Sequence, residues 1–262
     1  MDFTFVPSLS FSGFLVGVLV GLTGVGGGSL MTPLLVMLFG VAPATAVGTD
    51  LLYAAITKGS GTLVHHQHDN IDWRIVGRLA LGSLPATAAT LYMLLLLGVD
   101  KHDTSRLITG GLGIALLLTA GSIVFRQRLL AFASRRITAQ RNEQGTALTT
   151  AVFGAILGVM VSITSVGAGA LGVTVLVFLY PHLPMRRIVG TDIAHAVPLT
   201  LLAGLGHWWL GTVDVPLLLN LLIGSLPGIV LGSYYTSRVP ERGLRSLLAA
   251  VLLLVGGKLI FA

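Results

Sequence analysis

Apolar runs long enough to cross a lipid bilayer recur along this chain, near 44–64, 73–97, 105–125, 187–209, 215–235 and 244–261. A bilayer core takes roughly 20 helical residues to span, and backbone within it must satisfy its own hydrogen bonds. The runs therefore specify an all-α, polytopic membrane protein. Only 10% of the 262 residues are charged, and ten acidic plus sixteen basic side chains are too few to cover a soluble domain of this length. The formal charge of +6 does not point to nucleic acid, because the basic residues sit in short segments between apolar runs. The absence of cysteine excludes disulfides, thiolate metal sites and thiol relays. The opening MDFTFVPSLS has no basic n-region, so no signal peptide is expected there.

The chain also matches itself. Shifted by 142, Val47-Gly48-Thr49-Asp50 falls on Val189-Gly190-Thr191-Asp192, and Gly82-Ser83-Leu84-Pro85 falls on Gly224-Ser225-Leu226-Pro227. The same shift pairs His65 with His207 and Asp72 with Asp214, and a shift of 141 aligns TGVGGG (23–28) with TSVGAG (164–169). Two internal repeats are expected, a first transmembrane repeat at 1–125 and a second at 146–262, joined by a basic cytoplasmic linker at 126–145.

Each repeat opens with a glycine-interrupted apolar segment followed by three uninterrupted helices. The pieces Leu9–Leu22 and Ser29–Phe39 would be about 21 Å and 16 Å long as helix, short of a core of about 30 Å. Each pair is either a broken crossing or a re-entrant hairpin. Charge bias favours the hairpin: with three crossings per half and opposed halves, twelve of the basic residues fall on the cytoplasmic side and only Lys101, Arg106 and Lys258 outside. The repeats are then inverted.

Glycine permits the tight turn and close ligand approach of a buried hairpin tip. The second short helix starts at the glycines, so its free N–H groups and positive dipole end face the protein interior. Two such ends, from opposed hairpins, form a site for an anion. The candidate substrate-binding residues are Gly24, Gly26, Gly27, Gly28 and Ser29 in the first segment, and Ser165, Gly167 and Gly169 in the second. Thr49 and Thr191 offer hydroxyl donors to an oxyanion, or else bond within their own helix. Asp50 and Asp192 are intramembrane carboxylates at one repeat position, costly and therefore candidate proton-coupling groups, unless they cap helix starts. Lys58, matched by Thr200 in the second half, and His195, one turn after Asp192, join them. Either an interhelical hydrogen bond or proton transfer suits His195.

HHQHDN (65–70) offers His65, His66, His68 and Asp69 to a metal, but without the H-x-x-x-H spacing of a helical site. A polar helix end is the expected reading. No hydrolase elbow, Walker loop or dinucleotide fingerprint in a strand-helix context is present, so no enzyme and no cofactor are expected.

In their order, TGVGGGSLMTP, PATAVGTD and NIDW (70–73), followed by SVGAGALG, RIVGTD and TVD (212–214), make the chain similar to the sulfite exporter TauE/SafE family of membrane transporters. The resemblance covers most of both halves. It implies a multi-pass protein of the bacterial plasma membrane that moves a small sulfur-containing or organic anion, such as sulfite, sulfoacetate or a related sulfonate. Where many members look like G-T-S, this chain has Gly48-Thr49-Asp50 and Gly190-Thr191-Asp192. Carboxylates beside an anion site repel it unless protonated or paired, which suggests protons as the coupling ion. The expected partners are thus the anion, protons and the lipid bilayer, with homo-oligomer formation open. The rival expectation is a divalent metal cation transporter or channel using Asp and His ligands.

Overall fold

The computed structural model describes residues 4–23, 28–98, 102–125, 143–235 and 241–261. Among them run ten helices: α1 (Pro7–Thr23), α2 (Gly28–Leu38), α3 (Pro43–Gln67), α4 (Trp73–Leu97), α5 (His102–Val124), α6 (Glu143–Thr164), α7 (Ala170–Leu179), α8 (Met185–Trp209), α9 (Val215–Tyr235) and α10 (Glu241–Phe261). The described residues include no strand. Gly24, Gly26, Gly27 and residues 126–142 of the expected linker lie outside the described residues, and α6 begins at Glu143, inside the stretch expected as linker. Five of the helices are long and apolar enough to cross a membrane. Large apolar side chains such as Leu81, Tyr92, Leu96, Val230 and Leu254 point outward, as a lipid-facing surface requires.

The helix starts have local causes. The Asp72 carboxylate accepts from the backbone N–H of Arg74 (3.1 Å) and of Ile75 (3.3 Å), capping α4. Asp214 accepts from Leu217 N–H at 2.9 Å and does the same for α9. Proline sets the other two entries, Pro43 at the first turn of α3 and Pro184 just before α8. Asp50 and Asp192 are each the eighth residue of a helix, so neither is a cap.

Four helix pairs carry the packing: α1 with α9, α4 with α6, α3 with α8, and α5 with α10. Backbones in two of these pairs touch. A Cβ on Gly154 would collide with the Leu79 carbonyl and one on Gly158 with that of Ser83, so α4 and α6 run parallel. Gly13 meets Leu221 and Gly17 meets Ser225 in the same way, so α1 and α9 are parallel too. At the centre, Gly48 lies beside His207, Gly204 beside Leu52 and Gly61 beside Ile193, which makes α3 and α8 antiparallel.

These directions place the broken pairs. Tyr180, one residue past α7, hydrogen-bonds Thr150 near the start of α6 at 2.8 Å, so α7 returns to the end from which α6 entered. Val6 N–H donates to Asn220 Oδ1 (2.8 Å) and Asp214 N–H donates to Thr49 Oγ1 (3.0 Å), so α1 and α3 both start at the end where α9 starts. Four residues separate α2 from α3. The α1–α2 pair therefore also leaves and returns on one side, and that side is opposite to the α6–α7 side.

Candidate functional site

The α3–α8 pair holds the charged residues of the interior. Asp50 and Asp192 have 0% and 1% of their surface exposed, and Lys58 has 8%. Asp50 lies about 10 Å from the start of α3 and Lys58 about 12 Å further on, at a rise of about 1.5 Å per residue. With Gly61 against Ile193, Asp192 on the antiparallel helix lies beyond Lys58. The order along the bundle is Asp50, Lys58, Asp192.

Each carboxylate meets one of the short helices. Thr32 on α2 donates its hydroxyl to Asp50 Oδ2. On α7 the matching room is made by a missing side chain: a Cβ on Gly172 would collide with Asp192 Oδ1. Asp50 Oδ1 and Asp192 Oδ1 are buried with no hydrogen-bond partner among the described residues. Lys58 Nζ donates to the Ala168 carbonyl at 2.8 Å and lies within electrostatic reach of both carboxylates, Asp192 being the stronger influence.

Ala168 belongs to the link between α6 and α7, which is buried from Thr164 to Gly169. Gly167 (φ 124°) and Gly169 (φ 140°) adopt backbone angles that side chains rarely tolerate, and Ser165 is left-handed at φ 58°. The link delivers α7 N-terminus first into the interior. Gly172 N–H bonds the Gly167 carbonyl (3.3 Å) and Val173 N–H that of Gly169 (2.9 Å), while the N–H groups of Ala170 and Leu171 have no partner among the described hydrogen bonds. The Ser165 hydroxyl of the link is buried beside the Asp50 carboxylate. In the first segment Gly28 and Ser29 open α2, and Gly24, Gly26 and Gly27 lie outside the described residues.

The two threonines accept from backbone N–H groups. Thr191 donates to the Arg187 carbonyl (2.7 Å) and accepts from Asp72 N–H (2.9 Å), and Thr49 accepts from Asp214 N–H (3.0 Å). Each ties the helix start it belongs to onto the turn entering α4 or α9. His195 Nε2 bonds Ser83 Oγ of α4 at 2.8 Å, an interhelical contact, and its Nδ1 is buried without a partner. Sequence reasoning missed Thr32, Gly172 and the hydroxyl of Ser83. Thr32 was visible as the polar residue one turn after the glycines, and Ser83 stood within the duplicated Gly-Ser-Leu-Pro. Among the described residues no three His, Asp or Glu side chains group as metal ligands, and His65–Asp69 close the end of α3.

Fold and site together define a multi-pass helical membrane protein with a shared charge cluster at the meeting point of two broken helix pairs. The sequence model of the family described as "Sulfite exporter TauE/SafE" matches residues 9–259, and the chain belongs to this family. It is 38% identical to "Probable membrane transporter protein YjnA" of Bacillus subtilis (strain 168), over 97% of this chain and 99% of that protein. It is 27% identical to "Probable membrane transporter protein YdhB" of the same organism, over 95% and 97%. "Probable membrane transporter protein MJ0441" of Methanocaldococcus jannaschii is 25% identical over 98% and 97%. No solved structure matches. The chain is a membrane transporter.

Proposed function

We propose that this transporter moves a small sulfur-containing or organic anion, such as sulfite, sulfoacetate or a related sulfonate, across the plasma membrane, coupled to protons. The observation that carries the reading is the arrangement at α7. Its two unspent N–H groups, a buried lysine and a buried carboxylate with a free oxygen come from three different helices to one place. Backbone donors at a helix start favour an anion, and a carboxylate beside them must be neutralised or paired when the anion arrives. Protonation of Asp192 or Asp50 does this. Thr49 and Thr191 serve as ties that fix the two helix starts.

The halves 1–125 and 146–262 are duplicates of opposite orientation in this reading. Supporting it, the contacts recur at the offset of the sequence match: Thr49 with Asp214 N–H and Thr191 with Asp72 N–H, Gly17 with Ser225 and Gly158 with Ser83. Two hairpins opening to opposite sides suit alternating access around a fixed site. The metal-cation reading lacks a ligand cluster among the described residues, and no observation favours it. The test is uptake by purified protein in liposomes, with sulfite, sulfoacetate and divalent metals offered in parallel under an imposed pH gradient. Gradient-driven anion uptake without metal uptake is expected; metal uptake alone overturns the reading.

A further inference from the structure

We propose that Lys58 is the counter-charge for the transported anion, and that the Asp192 carboxylate, which lies against the same helix start, takes up a proton when the anion binds there. This rests on the anion-transport reading and names the residues that bind and couple.

Lys58 is a buried ammonium with three donors, one of which is spent on the Ala168 carbonyl at 2.8 Å. That carbonyl lies two residues before α7, so the ammonium is held at the mouth of the α7 N-terminus. Ala170 N–H and Leu171 N–H have no partner there among the described residues. Opposite them, Asp192 presses against Gly172 in the first turn of α7 with Oδ1 unpartnered. A carboxylate without enough donors beside donors without acceptors is an unstable arrangement in a dry interior.

One exchange satisfies every group. A small oxyanion with several oxygens on one centre, of the sulfite or sulfonate class, accepts from the two spare Lys58 donors and the α7 amides. Asp192, protonated, no longer needs a cation. The cluster holds Lys58⁺ and Asp192⁻ before the exchange, and Lys58⁺, the anion and neutral Asp192 after it, so one proton accompanies one singly charged anion. The charge of the interior is unchanged, which a low-dielectric site demands.

The other titratable groups around Asp192 do not compete for this role. α3 brings Lys58 and, further along, Tyr53 and then Asp50, while on the other side His65, whose Nδ1 lies against Gly190, and His66 stand at its end. α4 brings Arg74 and Arg78 near its start, Arg78 directed at the Tyr180 hydroxyl at 3.4 Å, and Tyr92 toward its far end. α6 carries only Glu143, at its start, and α7 none. On α8 itself Arg187 faces Asp72 at 3.7 Å, Arg186 stands beside it, His195 is bonded to Ser83 and His207 to Thr212 and the Ser162 carbonyl.

The test is equilibrium binding of methanesulfonate and of ethanesulfonate, both singly charged, to the full chain in lipid nanodiscs, followed by calorimetry from mildly acidic to mildly basic pH, where neither probe changes charge. Wild-type affinity should weaken toward basic pH by about tenfold per pH unit, the slope of a single linked proton. Asp192→Asn should bind without pH dependence, and more tightly than wild type at the basic end. Lys58→Gln should weaken binding at least about tenfold at every pH, the loss of one charge-assisted hydrogen bond, and Lys58→Arg should keep the wild-type slope. A lysine that only braces the Ala168 carbonyl leaves Asp192→Asn with the wild-type slope, which overturns the proposal, as does a Lys58→Gln that binds within twofold of wild type. If Lys58→Gln fails to insert, Asp192→Asn decides alone. A wild type that binds neither probe overturns the anion-transport reading and this inference together, whereas the two preceding failures overturn only this one.

Discussion

The surroundings of Asp50 and of Asp192 start from one pattern and end in different chemistry. Both acids are the eighth residue of a central helix, both follow Gly-Thr, and each threonine binds the backbone at a helix start in the other half of the chain. Asp50 is then fastened by the Thr32 hydroxyl, and one turn on stands Tyr53, whose buried hydroxyl faces that of Ser225. Asp192 has only the space above Gly172, and one turn on stands His195, bonded to Ser83 at 2.8 Å. The cation Lys58 sits in the first half, between the two acids along the bundle and bonded to the Ala168 carbonyl of the second. The framework is kept alike by backbone ties, while the side chains that hold or release charge have diverged. One acid accepts from a hydroxyl of a neighbouring helix, and the other lies against a glycine with one oxygen unpartnered among the described residues.

The strongest way to break this comparison is to fill the space over Asp192. Gly172→Leu puts a side chain into the carboxylate and should abolish uptake while the protein still inserts, as judged by expression and size exclusion. Gly169→Leu should do the same, because its φ of 140° is closed to leucine. Wild-type uptake by both would remove the α7 N-terminus from the site. The opposed hairpins are tested next with accessibility reporters: positions 42 and 212 should report the periplasm and positions 68, 140 and 184 the cytoplasm. A periplasmic signal at 184 would make α6–α7 a broken crossing. A smaller effect separates the two acids. Thr32→Val should destabilise the protein by about 1 kcal/mol, in the range for hydrogen bonds within membrane bundles, and change uptake little. Ser83→Ala should cost a similar amount but also shift the pH profile of uptake, since its partner His195 stands one turn from Asp192. Equal pH profiles for the two variants would erase the distinction drawn between the halves.

Much of this was legible in the sequence where the signal is local. Trp73–Leu97 was expected and found to the residue, because Asp72 caps it and an apolar run fills it. α3 runs to Gln67 rather than ending near 64, since a polar His-His-Gln end is compatible with helix and hydropathy alone does not reveal it. The two aspartates were visible through the offset. Their partners were not. Lys58 binds a backbone carbonyl 110 positions away, and a carbonyl has no sequence signature. The threonines were read as donors to a ligand or as bonding within their own helix, as Thr191 does with the Arg187 carbonyl; that their oxygens also accept from N–H groups 165 and 119 positions away has no local signature. Gly172 stands inside a helix with no local mark of its role, which is to make room for the acid of another helix.

The central claim is that Asp192 exchanges a proton in step with the anion, and its most direct measurement is anion flux into liposomes against an imposed pH gradient. Wild type, Asp192→Asn and Asp50→Asn are compared at equal protein density with sulfoacetate inside or outside. The account predicts that the gradient drives flux in wild type and, at a reduced rate, in Asp50→Asn, while Asp192→Asn moves the anion only down its own concentration gradient. Gradient-driven flux at the wild-type level in Asp192→Asn would contradict it, and the acid beside Gly172 would then be a structural group.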